Sequence, residues 1–101
     1  MAPYPSGPLH IGNARMVILN DEYVRKYNGK LLLVFDDTIG SKEKGILPEA
    51  YKMIEEDLEW LEVKYHAKFF KSDRMHIFYE YATQLLEAGH AYVCTCSEEE
   101  V

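Results

Sequence analysis

His10, Gly12 and Asn13 stand where a small-residue loop, Ser6-Gly7-Pro8-Leu9, runs into a segment with helical apolar spacing. A helix that starts there offers backbone N–H groups and a partial positive charge, which suits an anionic group such as a phosphate. His10 and Asn13 are three apart and share a helix face, so both side chains can donate hydrogen bonds to one anion. Gly12 has no side chain and lets a flat ring or a ligand backbone come close. Pattern alone also fits a proline-rich helix entry with a satisfied histidine. A second polar junction, Asp36-Asp37-Thr38, follows an apolar run, where a carboxylate at a turn is the plain reading. Cys94 and Cys96 are the only cysteines. With His90 nearby they still fall short of the four ligands of a structural zinc, so no metal is expected; His66 and His76 show no chemistry of their own.

The elements that position these residues follow from periodicity. From Ile11 to Tyr27, Ala14, Val17, Ile18, Val24 and Tyr27 recur at three- and four-residue intervals, and Asn28-Gly29 supplies a left-handed stop. Lys30 to Phe35 is an apolar run without alternation, as expected of a parallel strand buried on both faces. Pro48 suits a first helical position, and the second helix buries Ala50, Ile54, Leu58 and Leu61 while showing Glu55, Glu56 and Glu59 to water. An extended piece around Lys68 to Lys71 leads to Ser72-Asp73, either of which can cap a third helix with the stripe Met75, Phe78, Tyr79, Ala82, Leu85 and Leu86, closed by Gly89. Tyr79, Tyr81, Tyr92 and Trp60 are expected as core packing and its rim. Ala91 to Cys96 reads as a short strand, and Ser97-Glu98-Glu99-Glu100 as a capping box that opens a further helix. The charged segment Ile39 to Gly45 is expected as a surface loop.

Strands alternating with helices predict an α/β fold with a parallel sheet covered on both faces, whose ligands bind at the carboxyl ends of its strands. The junctions Pro5 to Asn13 and Asp36 to Thr38 then share a rim. The 101 residues allow at most one small domain. Seventeen acidic residues against 11 Lys plus Arg give a net charge of -6, which opposes a phosphate backbone and predicts weak RNA binding. The sparse, closely spaced cysteines fit a reducing compartment, and neither a basic leader nor a long apolar run is present, so a cytoplasmic protein without a membrane span is expected.

Ala2-Pro3-Tyr4-Pro5-Ser6-Gly7-Pro8-Leu9-His10-Ile11-Gly12-Asn13-Ala14-Arg15 resembles the HIGH signature segment of class I glutamyl- and glutaminyl-tRNA synthetases. Ile18 to Tyr23, Phe35 to Thr38, Glu49 to Tyr51, Glu56 to Leu61, Ser72 to Arg74 and Ala91 to Cys96 resemble the archaeal glutamate branch in the same order. The resemblance covers nearly the whole chain. It implies the first half of a Rossmann-like catalytic domain, residues 1–101, of an enzyme that activates glutamate with ATP and Mg²⁺ and transfers it to tRNA. By that resemblance His10 and Asn13 are catalytic, His10, Gly12 and Asn13 bind ATP, and Asp36 receives the amino acid's ammonium group.

The sequence also departs from the family's pattern. Asn13 replaces the final histidine of HIGH, Val34 stands where arginine is usual, and Ile39 stands where Asp or Asn is usual. The family's upstream arginine and its KMSKS loop are absent from the 101 residues, and Cys94-x-Cys96 matches a pair that begins a zinc site in some relatives. A truncated, inactive ATP-binding portion that self-associates through an open sheet edge is therefore expected. A stand-alone synthetase-like binding protein and a glutaminyl-tRNA synthetase fragment are the alternatives.

Overall fold

A computed structural model describes residues 1–38, 45–97 and 99. Helix α1 spans Ile11–Tyr27, strand β1 Leu32–Phe35, helix α2 Pro48–Trp60, strand β2 Ala67–Phe70, a 3-10 turn Ser72–Arg74, and helix α3 Met75–Glu87. The local signals explain most boundaries. Asn28 takes a left-handed conformation (φ 51°) and ends α1, while Gly29 returns its N–H to the Val24 carbonyl. Pro48 opens α2, where its missing N–H costs nothing, and Gly89 (φ 72°) follows the end of α3. The start of α3 differs from expectation. Ser72 and Asp73 form the 3-10 turn and Arg74 sits at the cap without a side-chain bond, because Ser72 is held by Asp37 instead.

β1 and β2 pair in parallel, with Leu32 opposite Ala67 and Phe35 opposite Phe70. The amino-terminal arm runs along the other edge of β1. The Met1 ammonium donates to the Leu32 carbonyl (2.9 Å), and the N–H groups of Val34 and Asp36 donate to the carbonyls of Met1 and Pro3 (both 3.0 Å). Pro3 has no N–H to return, so this parallel ladder stops short of a regular strand.

Leu31, Leu33 and Phe35 are buried on one face of β1 and cluster with Val17 of α1, Ile54 and Leu58 of α2, and Val63. Phe70 stacks on Phe35 at 5.3 Å, and Lys68 bonds Glu55 of α2 at 2.6 Å. Both helices thus serve the same face. Leu32 and Phe69 on the opposite face remain about 40% exposed, which corrects the expected two-sided burial and explains why burial alternates along β1. The physical reason is that α3 has no buried residue and so does not close over this face. Its apolar stripe exists but is uncovered. Trp60, Tyr79, Tyr81 and Tyr92 are likewise exposed rather than in the core. Residues 91–97 are exposed and form no strand, since no neighbouring strand among the described residues offers them a ladder. Most of the expected 39–45 loop and of the helix opening at Ser97 lies outside the described residues.

Candidate functional site

His10 is the residue at the amino-terminal cap of α1, and the three candidate residues close into one reciprocal turn. Imidazole Nδ1 accepts the Gly12 N–H at 3.1 Å, and Asn13 Oδ1 accepts the His10 N–H at 3.2 Å. The His10 carbonyl accepts from both Asn13 (2.9 Å) and Ala14 (3.0 Å). This is a capping box in which His and Asn stand in for the usual Ser and Glu. The helix end is therefore more self-satisfied than the sequence suggested. With Nδ1 an acceptor, the neutral imidazole carries its proton on Nε2, so the donors left for a ligand are His10 Nε2–H, the Asn13 amide and the Ile11 N–H.

Gly12 also has a different reason from the close approach of a ligand that its missing side chain suggested. A Cβ at this position would lie 2.9 Å from Cε1 and 3.1 Å from Nδ1 of His10. The flat ring that needs the glycine is the imidazole of the chain itself.

The segment leading into the cap is tied down at four points. Met1 and Pro3 bond β1 as described, the Pro5 carbonyl accepts from Leu47 at 3.0 Å, and the Leu9 N–H donates to Asp57 Oδ2 at 2.6 Å. Leu47 precedes α2 and Asp57 lies in its last turn, so α2 acts as a splint along residues 5–9. Pattern reading placed Asp57 inside a resembling block and gave it no task. The signal was a carboxylate in the last turn of a helix, where it meets the negative end of the dipole.

The strand-end carboxylates form the second cluster. Asp36 Oδ1 accepts from Lys71 Nζ at 2.8 Å, and the Asp36 N–H is the one bonded to Pro3, which places this junction beside the amino-terminal arm on the carboxyl side of β1. Asp37 accepts the Ser72 N–H (2.8 Å), the Ser72 hydroxyl (2.7 Å) and the Tyr51 hydroxyl (3.3 Å). Desolvation pushes the Asp37 carboxyl up, but these donors, Ser72 first, outweigh it and hold it below the ordinary value. The Tyr51 hydroxyl is pushed up, by burial first and then by the Asp37 charge. The chain thus carries an ammonium on Asp36 and hydroxyls on Asp37. The two clusters are joined through residues 3–9.

A cavity of about 200 Å³ lies behind the cap, lined by Met1, Pro3, Leu9, Asn13, Ile54 and Leu58 among others. It is smaller than the roughly 300–1,000 Å³ of a typical ligand pocket. An open groove of about 1010 Å³ between α2 and β2 includes Tyr51, Glu55, Tyr65 and Lys68 but none of His10, Gly12, Asn13 or Asp36. Burial first, then Glu55, pushes the Tyr65 hydroxyl up, while the hydrogen bond to Glu55 raises Lys68; this groove is braced by ion pairing rather than poised for proton transfer. Cys94 and Cys96 are exposed free thiols, and hydrogen bonds with Cys96 pull the Cys94 thiol down. Among the described residues no three His, Cys, Asp or Glu side chains are grouped to hold a metal, and no helix is long and apolar enough to cross a membrane.

A parallel α/β unit that sets a capped helix start and a strand-end carboxylate pair around one anchored arm is the class defined by fold and site. The chain belongs to the family of class I tRNA synthetases (E and Q), catalytic domain, whose model matches residues 1–101. It is 57% identical over 99 residues to the glutamate–tRNA ligase of Methanocaldococcus jannaschii, covering 98% of this chain and 17% of that protein. The corresponding ligase of Thermoplasma acidophilum is 56% identical over 100 residues, covering 99% of this chain and 18% of the relative. That of Methanothermobacter thermautotrophicus is 56% identical over 99 residues. The chain therefore spans under one-fifth of the length of these curated relatives.

Proposed function

We propose that this chain supplies the ATP-binding portion of a glutamate–tRNA ligase, with the capping turn His10-Gly12-Asn13 as the phosphate-facing element. The observation that carries the reading is the way the turn is built. The N–H groups of His10, Gly12, Asn13 and Ala14 are consumed internally, and the consequence is an imidazole whose Nδ1 is taken as an acceptor and whose Nε2–H is free, next to an amide NH₂ on the same helix face. Fixed donors of this kind stabilise charge on a phosphoryl group without reorganising, which is what phosphoryl and adenylyl transfer ask of a protein. His10 and Asn13 then touch the reacting phosphate. Gly12 serves by admitting the imidazole.

Asp36 is proposed to receive the amino acid's ammonium group. Lys71 shows that its carboxylate accepts an ammonium in this setting, with Oδ2 left for a second one. Mg²⁺ would arrive as the counter-ion of the nucleotide. Glutamate and tRNA are the proposed partners of the whole protein, in the cytoplasm, and the net charge of -6 makes tRNA a weak partner for these residues alone.

The 101-residue chain should bind ATP weakly, with a Kd of about 1 mM, because a partly assembled site has ordering to complete on binding. The test is thermal unfolding with excess ATP, tripolyphosphate or glutamate at matched ionic strength. At ten times Kd, ATP should stabilise the chain by about 1.4 kcal/mol. Tripolyphosphate should do so less and glutamate least; a larger shift with glutamate than with ATP contradicts the proposal.

A further inference from the structure

We infer that Asp57 is a positioning residue for the nucleotide site, setting the His10 capping turn through the backbone of Leu9. The inference rests on the reading of that turn as the phosphate-facing element. Asp57 Oδ2 accepts the Leu9 N–H at 2.6 Å across 48 residues of sequence, and among the described residues it is the one side chain that anchors residues 5–9. Leu9 immediately precedes the cap, so wherever its N–H points, the His10 backbone follows, and with it the Asn13 and Gly12 bonds that orient the imidazole.

Two features argue that this contact, rather than helix formation, accounts for a carboxylate here. Asp57 lies in the last turn of α2, where the helix dipole disfavours negative charge, and that turn contains no basic residue. Among the described residues Asp57 has no ion-pair partner, whereas Glu55 and Glu56 on the same helix are paired with Lys68 and Lys52; Glu59 in the same turn is unpaired too, but it is exposed to water while Asp57 is half-buried. A half-buried acid that is poorly placed for its own helix and unpaired by any described cation instead accepts one backbone N–H of the signature segment. Charge-assisted bonds to backbone N–H groups are short and directional, which suits a positioning task. The carboxylate also places a negative charge behind the cap, so an isosteric amide keeps the acceptor in the same place through a weaker bond while repelling a phosphate less.

The experiment compares wild type, Asp57→Asn, Asp57→Glu and Asp57→Ala by amide NMR and ATP titration, with thermal melts to establish that each is folded. Asp57→Asn should keep the Leu9, His10 and Gly12 amides near their wild-type positions and bind ATP within about twofold of wild type or slightly tighter. Asp57→Glu keeps the charge but moves it by one methylene, and Asp57→Ala removes the acceptor. Both should shift those amides and weaken ATP binding about fivefold to tenfold, the scale of one misplaced hydrogen bond. If Asp57→Ala does not fold, the Asn and Glu pair decides. Unchanged Leu9 to Gly12 amides in the folded Glu or Ala variant, or a loss with Asn as large as with Glu, would overturn the inference. Absence of any ATP response in wild type would refute the nucleotide reading, while the amide comparison would still decide whether Asp57 sets the turn.

Discussion

Substituting Gly12 by Ala should separate the stability of α1 from its chemistry. The added Cβ would meet His10 Cε1 at 2.9 Å and Nδ1 at 3.1 Å. Ordinary contacts between carbon atoms need about 3.5–4.0 Å, so the ring must retreat by roughly 0.6 Å or more. That takes the 3.1 Å bond between Nδ1 and the Gly12 N–H beyond hydrogen-bonding distance. Losing the cap costs about 1 kcal/mol, but Ala is favoured over Gly in a helix by up to about 1 kcal/mol, and the two nearly cancel. The melting temperature should hardly move. ATP affinity should fall about tenfold, roughly 1.4 kcal/mol, because the Nε2 donor has lost its fixed direction. The assay is a double-mutant cycle with His10→Ala, read by ATP titration and thermal melts. If Gly12 acts only through the imidazole, Gly12→Ala should cost nothing once the ring is gone. An equal loss of ATP affinity in the His10→Ala background would refute the reasoning.

Other outcomes follow from the same structure. Asp37 has a folded pKa below its ordinary 3.8, so its contribution to stability is fully present above that value and is lost as pH falls through the lowered one. Asp37→Asn should flatten that part of the acid-unfolding profile, and an unchanged profile would show that the Ser72 bonds contribute little. His66→Ala removes the 3.0 Å acceptor of the buried Leu31 N–H and should cost about 1–2 kcal/mol in denaturant unfolding, whereas His76→Ala should be nearly neutral. Glu62 sits at φ 57° just beyond α2, so Glu62→Gly should stabilise by about 0.5–1 kcal/mol. Ile54→Ala should cost about 2–4 kcal/mol, while Phe78→Ala on the uncovered stripe of α3 should be close to neutral in the 101-residue chain.

The parts of the fold that rest on local chemistry were legible in the sequence. Asn28-Gly29 stopped α1, Pro48 started α2, and Ala50, Ile54 and Leu58 faced inward, because caps and helical spacing act within a few residues. What depended on distant partners was not. The apolar stripe from Met75 to Leu86 has the spacing of a buried helix but is buried by nothing among the described residues, and Ala91 to Cys96 has strand composition without a described strand to pair with. The amino-terminal arm was hidden for the opposite reason, since its prolines mask an extended segment that hydrogen-bonds β1. At the site, residue types and spacing pointed to His10, Gly12 and Asn13, and the family resemblance added Asp36. They did not reveal that His10 and Asn13 cap one another, that Lys71 occupies one oxygen of Asp36, or that Asp57 holds Leu9, all of which depend on which atoms the fold brings within 3 Å or so.

The most direct test of the central claim is an NMR titration of the wild-type chain and of His10→Ala with ATP and with glutamate. Binding at the capping turn predicts ATP-induced shifts centred on residues Leu9 to Arg15, saturating near millimolar concentration and weakened by about tenfold in His10→Ala. Stronger shifts with glutamate, or ATP shifts centred elsewhere on the chain and indifferent to His10→Ala, would contradict it.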